Sequence, residues 1–410
     1  MMTQESQTQK LGHHLLRPVD EATRQRARLH LLDWLACVAG ALQSRPARNH
    51  FAKYIHRSAW LGNVLEMDDV HRTAILHPGP VIWPMMESPT RSMNAMLDAA
   101  VRGYEAIIAI GSTFDQRHYG FYHNTATAGI FGAAVAAITA QRSDLDMLVN
   151  AMGLAGSVAG GLWQMRHEAC DAKQWHVAHA LRSGREAALA AEAGAVGPRY
   201  VLEGEQGLYA ATCDKAKPML LADGWQMHAV SFKPWGACRH VHPAIDAALQ
   251  FQQQYGALSG EILVETYADA LTFCDRADPQ SVVEAKFSLQ HGVAVAASKG
   301  APELADFEVA AFDQFANLRS QVVVRECPDI TARYPAHFGA RISANGHQLE
   351  LVDTLGDPER PIDRAQIIDK MHALALWGGL TKKDADRATS LALEGDEPDA
   401  IAHMLGEWLL

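Results

Sequence analysis

Between Asp20 and Leu42 the apolar side chains Leu29, Leu32, Cys37 and Leu42 recur at roughly helical spacing, behind an aspartate placed to cap the first turn. The pattern predicts a helix over 20–42, an irregular stretch over 43–62, and a second helix over 91–111. Two segments rich in small residues follow, at 125–140 and 145–163, with Gly129, Gly132, Gly153, Gly156 and Gly160 at three- or four-residue steps. A glycine costs a helix ~1 kcal/mol against alanine, so a repeated glycine face implies that helix backbones approach closely. These two segments are therefore expected at the centre of a tightly packed helical domain. Helices are also predicted over 183–195 and 242–256.

The period then changes from helical to alternating. Residues 261–266, 320–326 and 340–354 carry β-branched alternation, and Asn345-Gly346 marks a hairpin turn in the last of them. A helix is predicted between them over 286–300. Helical period returns after Pro361, with Asp363 as an N-cap, a run to Trp377, a Gly378-Gly379 stop and two more helices. The fold class is mainly α with a smaller α+β domain. The helical domain is built from residues 1–256 and 356–410, and the α+β module from 257–355.

Ionisable side chains concentrate in four places. The loop NVLEMDDVHRTAILHPGP, 63–80, holds Glu66, Asp68, Asp69, His71, Arg72, Thr73 and His77. RHYGFYHNTAT, 117–127, places His123 and Asn124 just before a helix, whose free amides and dipole suit a carboxylate. DAKQWHVAH, 171–179, holds Lys173 and His176, and SFKPWGACRHVHP, 231–243, holds Lys233, Cys238, Arg239, His240 and His242. Each group has a plain structural alternative: a solvated acidic loop, a histidine capping a turn or helix, a surface lysine, a buried inert thiol.

Composition narrows the chemistry. The 410 residues are 48% hydrophobic and 20% charged, enough for a large core and two domains. The net charge of −11 and the lack of a lysine/arginine run argue against a nucleic-acid partner. Six scattered cysteines without a CxxC pair read as reduced thiols of a cytoplasmic protein. The N-terminus shows no basic region followed by an apolar core, and the run from Trp34 to Leu42 is too short to span a bilayer, so no membrane association is expected. GxGxxG, GxxxxGK[ST] and GxSxG motifs are absent. Asp69, His71 and His77 include zinc- or iron-binding types, but HExxH and CxxC spacings are missing; a metal-dependent hydratase is the weaker alternative, and no metal or organic cofactor is expected. What remains is acid–base work on a small anion.

The order ExDDVHR–HPG, a histidine before a small-residue helix, Lys-x-x-His, FKPWxxCRHxHPAIDAA and EAKFS resembles the MmgE/PrpD family from about residue 20 to the C-terminus. That family includes 2-methylcitrate dehydratase, cis-aconitate decarboxylase and iminodisuccinate epimerase. The resemblance implies a helical domain from both chain ends, an inserted α+β lid and a homodimer. It also implies roles by position. Glu66, Asp68 and Asp69 match the acidic motif, His77 the loop histidine and His123 the pre-helix histidine, all catalytic. Lys173 and Lys233 match the family lysines, and Arg72, His176, Cys238 and His291 join them as substrate-binding positions. Cys238 stands where the decarboxylase carries a catalytic histidine, and His291 where an aromatic hydroxyl is usual.

The expected activity is a cofactor-independent lyase of dehydratase type acting on a small di- or tricarboxylate. The alternatives are an epimerase on the same scaffold or a ligand-binding paralogue without turnover. Abstraction of a proton α to a carboxylate needs a positioned base and cationic stabilisation of the enolate. Asp69 or His77 is the expected base, and Lys173, Lys233 and His123 are expected to hold the carboxylates. Asp69 and His77 should share one hydrogen-bond network facing Lys173 and His123.

Overall fold

The computed structural model describes residues 5–48, 56–141, 144–168 and 170–409. In chain order its longer helices begin with α1 (Gln7–Leu15), α2 (Glu21–Gly40), α3 (Met93–Gly111), α4 (Asn124–Gln141), α5 (Leu145–Gly156) and α6 (Ala172–Glu192). Next come α7 (His242–Tyr255), β1 (Ile262–Thr266), α8 (Leu289–Lys299), β2 (Val322–Glu326), β3 (Ala340–Ala344) and β4 (His347–Leu351). The chain ends with α9 (Arg364–Trp377), α10 (Lys382–Leu393) and α11 (Pro398–Trp408). It forms two compact units. One is Met1–Val64, Asp68–Val230 and Asp363–Leu410; the other is Leu65–Met67 and Ser231–Ile362. The first is helical, and the second combines helices with a four-stranded sheet.

The helical unit is organised around α4, which is buried along almost its whole length and packs against α3, α5 and α6. Small residues make this possible. A Cβ on Gly132 would lie 2.9 Å from the Gly103 carbonyl oxygen of α3, and one on Gly184 of α6 would lie 2.5 Å from that of Ile130. The ends are set by caps: Asp20 accepts from the Thr23 amide, Asp144 from Met147, and Asp363 and Thr381 close capping boxes with Gln366 and Asp384. α9 lies along α2, so the C-terminal segment joins this core.

Two helix expectations shift. The helix expected over 145–163 stops at Gly156, because the following Ser-Val-Ala-Gly-Gly offers no apolar stripe and two glycines, with Gly161 at φ 110°. The helix expected over 183–195 begins earlier, at Ala172, so Lys173 and His176 lie in its first turns. Among the described residues, no helix is long and apolar enough to cross a membrane.

In the second unit the strand order is β2-β1-β3-β4, with β1 parallel to β2 and antiparallel to β3. The β3–β4 hairpin turns through Asn345 (φ 51°) and Gly346 (φ 76°), the left-handed pair that Asn-Gly supplies. α7, read from sequence with the helical body, instead covers β3 and β4 and packs on α8. Its apolar face, Ile245, Ala248 and Phe251, shares one core with Ile262, Val264 and Ile342, and the main segment of the unit accordingly begins at Ser231.

Candidate active site

In the helical unit the loop after Asn63 is folded tightly by a two-residue β-bridge between His71 and Leu76. Ile75, just before the bridge closes, has φ 51°, a left-handed conformation that a β-branched residue rarely adopts. Asn124 ties the loop to the start of α4 by donating from Nδ2 to the Ala74 carbonyl (2.9 Å). These constraints place Asp68, Asp69 and His77 in fixed and different surroundings.

Asp69 is sealed. Its Oδ1 accepts from the Gly79 amide (2.9 Å), and its Oδ2 meets the Tyr104 hydroxyl (2.8 Å) and His30 Nδ1 (2.8 Å). Trp83 Nε1 donates in turn to the Tyr104 oxygen (2.7 Å). A Cβ on Gly79 would lie 2.7 Å from Asp69 Oδ1, so the His-Pro-Gly-Pro turn lets backbone approach this carboxyl. Burial pushes the Asp69 pKa up to about 6, against the hydrogen bonds from Tyr104 and Gly79. Burial also holds His30 well below the usual histidine range, so its ring is neutral.

Asp68 orients His77. His77 Nδ1 lies 2.9 Å from Asp68 Oδ2 and 3.0 Å from the Asp69 carbonyl oxygen. Both partners are acceptors, so Nδ1 carries a proton toward them and Nε2 is the nitrogen that can exchange one. Asp68 Oδ2 also accepts from Asn63 Nδ2 (2.7 Å), and the His77 amide donates to Thr125 Oγ1 (3.1 Å). The His77 side chain is 16% exposed and that of Asp68 2%, which puts the imidazole on the solvent side of the pair.

His123 sits at the other edge of this group. Its amide donates to the Gly161 carbonyl (2.8 Å), its Nδ1 lies 3.4 Å from His176 Nδ1, and its ring is 4.7 Å from that of Trp163. Burial, then the nearby charges of His176, Lys173 and His77, lowers its pKa well below the ordinary value. A neutral His123 donates a hydrogen bond and does not add charge. Cationic charge comes from half-buried Lys173, one turn before His176 on α6. The structure thus gathers Asp68, Asp69, His77, His123, Lys173 and His176.

The remaining candidates have other settings. Arg72 is buried beside His71, whose Nδ1 accepts from the Ala74 amide (3.2 Å) and closes the turn. In the second unit Glu66, at φ 58°, pairs with fully buried Lys233 (3.7 Å), while Cys238 lies in the apolar core. His291, expected at the substrate, lies inside that unit among Phe307, Phe312 and Phe315. Its Nε2 bonds the Asp306 carbonyl (2.8 Å) and its Nδ1 faces Arg319 (3.4 Å), leaving neither nitrogen for a ligand. Asp69, His71 and His77 do not gather as a metal group among the described residues. The ligand-type side chains that do are half-exposed His337 and Asp353 with exposed Glu359. Asn63, His30, Tyr104 and Thr125 were not singled out from sequence. His30 and Tyr104 look there like ordinary members of amphipathic helices.

Residues 57–221 match the MmgE/PrpD N-terminal domain, and residues 235–394 match the MmgE/PrpD C-terminal domain. The chain belongs to the MmgE/PrpD family. No curated protein matches it. MmgE/PrpD proteins are generally enzymes, among them dehydratases, decarboxylases and epimerases. The MmgE/PrpD N-terminal match contains every member of the Asp68–His77–His123–Lys173 group.

Proposed function

We propose that this MmgE/PrpD chain is a cofactor-independent lyase of dehydratase type, acting on a small di- or tricarboxylate. The observation that carries the reading is the 2.9 Å contact of His77 Nδ1 with Asp68 Oδ2, which favours the Nδ1–H tautomer and leaves Nε2 to act as the base. Nε2 takes the proton α to a carboxylate, and the Asp68 charge stabilises the imidazolium that forms. Negative charge then grows on the carboxylate oxygens, where the Lys173 ammonium and the neutral rings of His123 and His176 supply charge and hydrogen bonds. When the β C–O bond breaks, the departing hydroxide takes a proton from the His77 imidazolium. The Cα–H and Cβ–OH become C=C and water, and His77 returns to its starting form.

A panel of hydroxy-, keto- and unsaturated polycarboxylates in D2O, followed by proton NMR, tests this. A hydroxy acid that gives an alkene signal supports the proposal. Deuterium entering the α position without loss of hydroxyl replaces it with an epimerase. Saturable binding across the panel with neither change replaces it with a ligand-binding paralogue.

A further inference from the structure

Behind the loop, α2 and α9 bury an ion pair. Lys370 Nζ lies 2.6 Å from Asp33 Oδ1, with the side chains 6% and 1% exposed. Such a pair is a poor source of stability, since desolvation of both ions offsets their attraction. Its place in the fold supplies another reason. Asp33 is one turn from His30 on α2, and His30 reaches Asp69 Oδ2 at 2.8 Å. Three buried carboxyls, Asp33, Asp68 and Asp69, are therefore near one another, and each disfavours ionisation of the next. Lys370 brings a positive charge to them from the far end of the chain, and its ammonium interacts with Asp68 as well as with Asp33.

We propose that Lys370 and Asp33 are positioning residues of the site, a buried charge pair seated behind the His30–Asp69 contact whose two opposite charges together set the proton affinity of His77. The proposal rests on His77 as the acid–base group of the proposed reaction. Asp69 is faced by Arg26, His30 and Asp33 from α2, Tyr104 from α3, and Asp68 and His77 from its own loop. His77 is faced by Asp68 and Asp69, and by His123 near the start of α4, which Lys173 and His176 of α6 approach in turn.

The test is the imidazole titration of His77 by NMR in histidine-labelled protein, assigned with His77→Gln. It needs no substrate. Lys370→Met removes a positive charge and should raise the His77 pKa. Asp33→Asn removes a negative charge and should lower it, each by about half a unit or more at an effective interior dielectric. The double variant should return close to wild type. Shifts of one sign in both single variants, or none in either, overturn the proposal, since a merely structural pair has no reason to give opposite signs. If Lys370→Met does not fold, Asp33→Asn and the double variant decide. A pKa lowered in the first and restored in the second supports the proposal; an unmoved pKa in both overturns it. Failure of the carboxylate panel with these shifts intact would sink the dehydratase reading alone.

Discussion

Asp69, His30 and Tyr104 form a closed layer in which every polar atom of the carboxyl is met by protein, while one residue earlier Asp68 serves an imidazole that reaches solvent. The two layers use the same residue types to opposite ends. In the closed layer low dielectric raises the proton affinity of the acid and depresses that of the histidine, so both tend to neutrality. In the open layer Asp68 orients a histidine whose ring reaches solvent. Adjacent carboxyls are thus divided between anchoring the loop and tuning its acid–base group. Of the two expected bases, Asp69 or His77, Asp69 has both oxygens occupied, and the proposed reaction therefore uses His77.

The largest effect should come from the open layer. His77→Asn removes the proposed base while keeping a polar side chain at Nδ1 reach. It should lower kcat on the true substrate by about a thousandfold, the usual scale of general acid–base catalysis. Circular dichroism should show an unchanged fold. A loss below tenfold would move the base to another group and erase the division between the layers.

Asp69→Asn sharpens the comparison from the closed side. The unfolded aspartate titrates near 3.8 and the folded one at about 6, so the folded state holds more protons in that window. The sign follows: the stability this group contributes is present at low pH and is lost as pH rises through about 6. Relative to Asp69→Asn, the wild type should therefore lose up to about 3 kcal/mol of unfolding free energy between pH 4 and pH 7. Urea titrations of both proteins across that range measure the difference. A gap that does not change with pH would mean that Asp69 is not sealed as described.

Lys173→Ala should cost about 2 kcal/mol of transition-state stabilisation, roughly a thirtyfold fall in kcat/KM, on the scale of a charged hydrogen bond to a desolvated carboxylate. Activity within twofold of wild type would make Lys173 a solvated lysine beside the open layer.

Part of this division was legible in the sequence. Asn345-Gly346 announced its hairpin because few residue pairs accept consecutive positive φ, and Asp20 and Asp363 announced their helices because a carboxyl satisfies free amides there. His77 and His123 stood out as ionisable groups beside a turn and a helix start. The distinction between Asp68 and Asp69 was not legible, since it depends on Tyr104 and His30, far away in sequence and ordinary in their own helices. The loop at 157–163 read as helix because its glycines continued a spacing; the chain instead turns there to bring Gly161 to His123. Nothing local marked Lys370, whose partner lies at the other end of the chain.

The smallest effect concerns the loop that joins the two layers. Ile75 holds φ 51° between the Asp69 anchor and His77, a conformation that costs an L-residue roughly 1–2 kcal/mol. Replacing it by alanine removes half-buried apolar surface but keeps the backbone strain. Replacing it by glycine removes both. At an ordinary position glycine is the less stable of the two by roughly 0.5–1 kcal/mol. Here the order should invert, with Ile75→Gly more stable than Ile75→Ala by about 1 kcal/mol in urea denaturation, because only glycine adopts positive φ freely. The His77 titration should broaden or shift in Ile75→Gly, as the imidazole is then held by its hydrogen bonds without the rigid bend beneath it. Alanine remaining the more stable variant would show that the loop stores no strain, and that hydrogen bonds alone hold His77 against Asp68.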